Sequence, residues 1–407
     1  RPAAPRPRPP PPHPARRAGP PRRPGDRGRH PTPRTNAKTP SEPPTEIPPP
    51  VIEVEPQPRR ALKLIRRICA GALMVAGLAV LAGAVYQAAA SSRDDRNHPA
   101  PGVLVDLGGH RLHLWCIGSG SPTVVLESGL GGFSHDWSHL QPDIATKTRV
   151  CSYDRAGYGW SDGVDEPRTS TETASDLHDL LTSAGERGPF FLVGHSLGGI
   201  HVRSFARLFP DDVAGAVLVD SAHEQQATRL AMLAPLDEGQ LAGLTLCRRL
   251  APFGVPRLLG VHDESLPDSL SISTEVEAAW TSRLYQNRFC ATVRDEFTAI
   301  QVETSRPEPP APLGDLPLTV LSSDRDLSVD QEPVDGITTT DLEEATRVAA
   351  DLQAELAALS TDSTHQVVAG AGHYIHWDQP AVVLDAIDEA IAGWRRSHRV
   401  DPAVRHD

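Results

Sequence analysis

The run Phe190-Phe191-Leu192-Val193-Gly194-His195-Ser196-Leu197-Gly198-Gly199 carries the most chemical information in this chain. It reads as an apolar strand, a Gly-x-Ser-x-Gly turn and the start of an amphipathic helix. That context predicts a sharp strand-to-helix turn holding Ser196 in a strained conformation with its hydroxyl exposed, the glycines removing side chains that would collide. A serine hydroxyl is a weak nucleophile near neutral pH. It needs a base, and the base needs an acid to fix its tautomer and stabilise its charged form. Both partners are expected at later strand ends. The last apolar run leads into Gly370-Ala371-Gly372-His373-Tyr374, whose small residues free the loop to bring His373 over the serine. Of its rivals, His376 follows the turn and is read as opening the final helix, and His365 precedes the strand and is read as remote. For the acid, Leu318-Thr319-Val320-Leu321 ends in Ser322-Ser323-Asp324-Arg325-Asp326. Asp326 is favoured because the acid should sit in the loop past the strand end; Asp324, and Asp220 at the end of the preceding strand, stay open.

The elements that must position these residues are legible as alternation. Arg111–Cys116, Thr123–Glu127, Arg149–Asp154, Phe190–Val193, Gly215–Val219, Leu316–Leu321 and Gln366–Ala369 look like buried strands. Helical periodicity follows several of them, at Thr173–Ser183, Leu197–Leu208, Leu342–Leu359 and Ala381–Trp394. This pattern predicts an α/β fold, a mostly parallel sheet with helices on both faces. The core is expected over residues 102–222 and 313–396. Between them, residues 223–312 lack obvious strands and are rich in Leu, Ala and Arg, which predicts an inserted helical cap.

Upstream, the composition changes twice. Residues 1–60 hold 21 of the 40 prolines, and runs such as Arg6-Pro7-Arg8-Pro9-Pro10 cannot bury apolar surface, so residues 1–67 are read as a disordered basic tail. Residues 68–90 contain no charge over 23 positions, long enough to cross a hydrocarbon core as a helix. Arg59, Arg60, Lys63, Arg66 and Arg67 crowd the N-terminal side, whereas Arg93, Asp94, Asp95 and Arg96 sum to zero. The positive-inside rule then puts the tail in the cytoplasm and the rest outside the cytoplasmic membrane. A cleaved signal sequence with a product beginning near Ser91, hence a secreted protein, is the rival expectation. The net charge of −12 divides into +11 for residues 1–67 and −23 for the remainder. So acidic a globular part argues against nucleic acid as a partner. No cysteine pair has C-x-x-C spacing and the histidines are scattered, so no metal site is expected.

The elbow, together with the order Ser196, acid, His373, resembles the α/β-hydrolase superfamily, in its capped serine esterase and lipase-like branch, related to the proline iminopeptidase-like hydrolases. The resemblance spans roughly Gly102 to Arg396. Leu126-Glu127-Ser128-Gly129-Leu130-Gly131-Gly132 occupies the place of that family's oxyanion loop, and Asp154-Arg155-Ala156-Gly157-Tyr158-Gly159-Trp160-Ser161 looks like its D-R-x-G-x-G-x-S loop. By that match, the backbone N–H groups of Leu130 and Leu197 form the oxyanion hole. Asp154 and Arg155 are expected to fix their loop rather than act on substrate, and His195 to shape the elbow. Four cysteines follow the apolar run, and an even number in an exported domain suggests two disulfides. The family's sheet order makes the strands of Cys116 and Cys151 neighbours, and Cys247 and Cys290 both fall in the insertion, which favours the pairs Cys116–Cys151 and Cys247–Cys290.

The resemblance implies a serine hydrolase that cleaves a small-molecule carboxylic ester, with lipids among the candidate substrates, through an acyl-enzyme and without a cofactor; the uncharged run makes it a membrane-anchored one. Two rivals are carried: an iminopeptidase-type aminopeptidase on the same residues, and a non-catalytic ligand-binding protein using the pocket as a receptor.

Overall fold

A computed structural model describes residues 58–398 apart from 167, 264–265, 267–271, 306–308 and 328–335. Most of the proline-rich tail, residues 1–57, and parts of the insertion lie outside the described residues.

Helix α1 runs from Pro58 to Asn97. It is long and apolar enough to cross a membrane, with a mean hydropathy of 2.4 over its most apolar 18-residue stretch, and it extends beyond both ends of the uncharged run. It stops where Pro99 and Pro101 follow, since a residue before proline is pushed out of the helical region.

The remaining elements, in chain order, are β1 (Val103–Asp106), β2 (Arg111–Ile117), β3 (Thr123–Glu127), α2 (Gln141–Ala145), β4 (Val150–Asp154), α3 (Ser170–Ser183), β5 (Phe190–His195), α4 (Leu197–Leu208) and β6 (Val213–Val219). Then come, among the described residues of the insertion, α5 (Gln226–Arg229), α6 (Ala234–Leu250), α7 (Val255–Leu258), α8 (Thr274–Leu284) and α9 (Phe289–Glu303). The chain returns through β7 (Leu318–Ser323), α10 (Thr339–Ala357), β8 (Ser363–Val368), α11 (Ile375–Asp378) and α12 (Pro380–Ser397). The strands form one sheet in the order β1-β2-β4-β3-β5-β6-β7-β8. Pairing is antiparallel through β1, β2 and β4 and parallel from there on. Strand β1 has no counterpart among the expected strands. It is a short, largely exposed edge whose apolar run, Val103 to Val105, is only three residues long.

Alternation along the central strands sorts side chains onto two faces. Phe190 and Leu192 join Leu177 and Leu181 of α3 and Val202 and Phe205 of α4. Phe191 and Val193 face the other way, against Trp137, Val383 and Ile387. Strands β3 to β6 are therefore buried on both faces, which is why β3, β5 and β6 read as near-continuous apolar runs; β4 carries a buried Ser152 at its centre, which bonds Gln141. The insertion has a small core of its own, in which Trp280, Leu284, Phe289 and Val293 of α8 and α9 pack on Phe133 and Tyr158. Two disulfides are present. Cys116–Cys151 joins residues directly opposed across β2 and β4, and Cys247–Cys290 ties α6 to α9.

Candidate active site

Ser196 stands between β5 and α4 with φ 52° and ψ −122°, a region that a side chain with a Cβ rarely adopts. Its neighbours hold it there. The Ser196 N–H donates to the Val219 carbonyl at 3.1 Å, and the Ser196 carbonyl accepts from the amides of Gly199 at 3.0 Å and Ala222 at 2.9 Å. The turn admits no side chain on either flank. A Cβ on Gly194 would meet the Gly198 carbonyl oxygen at 2.7 Å, and one on Gly198 would meet the Glu127 carbonyl oxygen at 2.6 Å.

The loop after β8 brings His373 to the serine, with Nε2 lying 2.9 Å from Ser196 Oγ. The same ring's Nδ1 is 2.6 Å from Oδ2 of Asp220. Since Nδ1 has room for one proton and a carboxylate only accepts, the proton sits on Nδ1 and Nε2 is left to accept from the serine. Burial pushes the Asp220 carboxyl up, but the hydrogen bond and charge of His373 outweigh it, helped by the Ser323 amide 3.0 Å from Oδ1, and the group stays below the usual carboxylate range.

Asp326, favoured on sequence, is not the carboxylate on His373. It lies beside α10, where Thr346 Oγ1 is 3.5 Å from its Oδ1. The reason is strand order. Strand β6 is the direct neighbour of β5, with Val219 paired to His195, so the residue just after β6 is already beside the elbow. Asp220 completes the approach with a φ of 41°. Asp326 follows β7, one strand further out, and the single proton on Nδ1 is already taken. Asp324 anchors the histidine loop instead, its carboxylate accepting the Gly370 amide at 2.9 and 3.0 Å.

The remaining histidines near the serine do not compete for the role of base. His376 is fully buried in α11 against Trp137, and burial holds it neutral. His365 is not remote: it lies within β8, bonds Ser322 Oγ at 2.9 Å and lines the same cavity as Ser196. His195 is buried and held neutral, its pKa brought down to about 3 chiefly by desolvation. Its Nε2–H donates to the His373 carbonyl at 3.0 Å, so it steadies the base through the backbone.

Leu130 and Leu197, whose amides were expected to face a developing oxyanion, both line a cavity of about 150 Å³ together with Ser196. Leu197 is the first residue of α4, so its N–H has no acceptor within the helix. The Leu130 loop is held by a buried network that sequence reading missed. Arg155 donates to the carbonyls of Ser128 at 2.8 Å and Gly129 at 2.7 Å, and to Glu127 at 2.7 Å. Its Nε reaches Glu296 of α9 at 2.8 Å, and Glu296 also accepts from Tyr158 Oη at 2.7 Å. Asp154 does not pair with Arg155. It takes the amides of Ser134 and Trp160 at 2.9 and 2.8 Å. The sequence signals for Glu127 were its place ending an apolar strand and opening the run matched to the oxyanion loop, neither of which gave it a role; Glu296 lies in the insertion with no motif around it.

A second cavity of about 390 Å³ is lined by Ser196, His373 and Asp220 below and by Leu230 and Leu233 of the insertion above. Phe297 and Ile300 of α9 line the smaller one. The serine thus faces a space bordered by insertion residues, apolar at Leu230, Leu233, Phe297 and Ile300 and polar at Gln226, Arg325 and His365. In such a site a hydroxyl activated by an imidazole can attack a carbonyl or a similar electrophile.

Similarities to known proteins bear on the fold and the family. The model of the alpha/beta hydrolase family matches residues 124–386. The chain is similar to the probable transporter efuK of Hormonema carpetanum, 34% identical over 140 residues that cover 32% of this chain and 20% of the relative. It is also similar to an uncharacterized vacuolar membrane protein of Saccharomyces cerevisiae, 31% identical over 134 residues, 28% of this chain and 21% of the relative. The chain spans 20%, 35% and 42% of the length of the first curated relatives that it matches. Among solved structures, the enol-lactonase of Burkholderia xenovorans superposes with a TM-score of 0.52 at 18% identity, covering 71% of this chain and all of that one, which is a likeness of fold. Since the family model takes in well over half of the chain and includes the serine elbow and the His373 loop, this protein belongs to the alpha/beta hydrolase family.

Proposed function

We propose that this hydrolase cleaves carboxylic esters through an acyl-enzyme, with Ser196 as nucleophile, His373 as general base and then acid, and Asp220 as the orienting carboxylate. The observation that carries the reading is the continuous hydrogen-bonded chain from Ser196 Oγ to His373 Nε2 and from Nδ1 to Asp220. Ser196 Oγ attacks the carbonyl carbon while Nε2 takes its proton, and the carbonyl π pair moves onto oxygen. The amides of Leu130 and Leu197 receive that charge; donors preorganised in this way are worth about two to three orders of magnitude in rate. The imidazolium returns the proton to the departing alkoxide, and the alcohol leaves. Water, deprotonated by His373, then releases the acid and restores the serine. Every step uses side chains and backbone of this chain.

The apolar lining supplied by Leu230, Leu233, Phe297 and Ile300 supports an acyl chain as part of the bound substrate. The apolar face of α1 supports a membrane span over roughly Ile68–Tyr86, and the excess of Lys and Arg before Ile68 supports placing the hydrolase body on the non-cytoplasmic side. The test is labelling by a fluorophosphonate probe and turnover of p-nitrophenyl esters. Wild-type protein should do both, and Ser196→Ala should do neither while keeping its unfolding temperature. A Ser196→Ala variant that kept a tenth of the ester turnover would remove the mechanism, and release of amine from a proline amide in place of ester turnover would move the assignment to a peptidase.

A further inference from the structure

The C-terminal turns of α1 are built into the insertion. A Cβ on Gly83 would lie 2.6 Å from the Phe253 carbonyl oxygen, and one on Gly254 would lie 2.8 Å from the Tyr86 ring. Gln87 is 1% exposed; its amide donates to the Tyr285 carbonyl at 2.7 Å and its oxygen accepts from Arg257 at 3.3 Å. Further along, Arg257 pairs with Asp94 at 2.7 Å and Arg283 with Asp95 at 2.8 Å. These contacts set the height of α7 along α1: it is level with Gly83–Gln87.

That height is where the apolar surface of α1 ends. Leu73, Leu78, Leu81 and Val85 are 59–73% exposed, and Tyr86, 41% exposed, follows them. From Ile68 to Tyr86 the helix rises roughly 27 Å, close to the ~30 Å hydrocarbon thickness. Arg66 and Arg67 stand at one end and Tyr86, a residue type that sits at headgroup level, at the other. Beside Tyr86, α7 and the turn after it present Leu258, Leu259 and Val261 at 64%, 73% and 55% exposure. Of the polar groups bordering them, Arg257 is half-buried, and Asp263, though exposed, has a protein partner. Arg257 is paired with Asp94, and Asp263 accepts from Tyr285 Oη at 2.7 Å.

We infer that this turn is a membrane-docking surface, with Leu258, Leu259 and Val261 entering the acyl region of the leaflet on the C-terminal side of α1. The inference rests on the reading of α1 as a membrane span. The occupant follows from continuity, because the patch extends the lipid-facing surface of α1 at the height where that surface ends. The insertion is then held against the bilayer at two places, by the helix and by the turn.

The test uses the full chain in lipid nanodiscs of phosphatidylcholine and phosphatidylglycerol, with Cys69→Ala removing the free thiol. Nitroxide labels are placed singly through Leu259→Cys, Leu258→Cys, Leu78→Cys on α1 and Val367→Cys on β8, the last 59% exposed and distant from α1 in sequence. Collision rates with oxygen and with a water-soluble nickel chelate are compared. Labels at 258 and 259 should show an oxygen-to-nickel ratio several-fold above that at 367 and close to that at 78. If 78 reads as hydrocarbon while 258 and 259 match 367, the docking inference is wrong and the span stands. If 78 itself reads as aqueous, the span fails and the inference with it.

Discussion

Replacing Asp220 by asparagine isolates the assignment that sequence reading and structure make differently. The substitution preserves shape. Oδ1 of Asp220 accepts from the amide and hydroxyl of Ser323 at 3.0 and 3.2 Å, whereas Oδ2 faces His373 Nδ1 at 2.6 Å. An asparagine amide has one oxygen, and the two Ser323 donors claim it. Its NH2 then faces Nδ1 and donates to it, so the ring proton moves to Nε2 and points at Ser196 Oγ. In that tautomer the base cannot take the serine proton. Where the orienting carboxylate of a Ser-His-Asp triad is replaced by its amide, kcat falls about ten-thousandfold, on the order of 5 kcal/mol of transition-state stabilisation. Asp220→Asn should therefore lower kcat for p-nitrophenyl butyrate by about 10³–10⁴ with KM within a few-fold, and slow fluorophosphonate labelling in parallel. Asp326→Asn, whose carboxylate lies by Thr346, should stay within about two-fold. Asp324→Asn, which weakens the anchor of Gly370, should fall between them, roughly tenfold down. Thermal unfolding of each variant separates lost chemistry from lost fold. Asp220→Asn retaining a tenth of the wild-type kcat, or Asp326→Asn losing as much as Asp220→Asn, would refute the assignment.

Glu296→Gln removes the charge that links α9 to Arg155; with Arg155 still held by Glu127, kcat should fall about tenfold with little change in KM, because the Leu130 loop loses part of its support. Unchanged kcat alongside a lowered unfolding temperature would reduce that link to a purely structural one. Burial raises the Asp136 carboxyl to about 7, against the hydrogen bond from Trp280 and the charge of Arg155. An acid raised in the folded state holds its proton there after the unfolded chain has lost it, so stability falls as pH rises from about 4 to about 7, by at most roughly 4 kcal/mol, and is level above that. Asp136→Asn lacks this loss, and its unfolding temperature relative to wild type should be several degrees more favourable at pH 8 than at pH 5; a gap independent of pH would contradict the shift. With Leu230, Leu233, Phe297 and Ile300 around the serine, ester hydrolysis should favour butyrate to octanoate over acetate, each methylene adding up to a few-fold in kcat/KM; a preference for acetate would argue against an acyl-binding role for the insertion.

The sequence by itself determined what local pattern encodes. The Ser196 elbow is local because the strand, the two glycines and the helix that make it lie within ten consecutive residues, and the collisions that require Gly194 and Gly198 are with the turn itself and the strand beside it. His373 was legible for a similar reason, since its loop is short and its glycines stand next to it. Strands β3, β5 and β6 announced themselves as near-continuous apolar runs, and the insertion as the place where alternation stops. What only the tertiary structure decided are contacts between segments far apart in the chain. Asp220 and Asp326 are both acids after parallel strands, and the choice between them depends on β6, not β7, lying next to β5, which no periodicity records. Glu127, Arg155 and Glu296 come from three separate elements, and nothing around Glu296 marks it until α9 settles over the Leu130 loop. The seating of Gly83–Gln87 against Phe253–Arg257 joins residues about 170 positions apart. In a helix that reads as uniformly apolar, only packing tells which turn is buried against protein and which is left exposed.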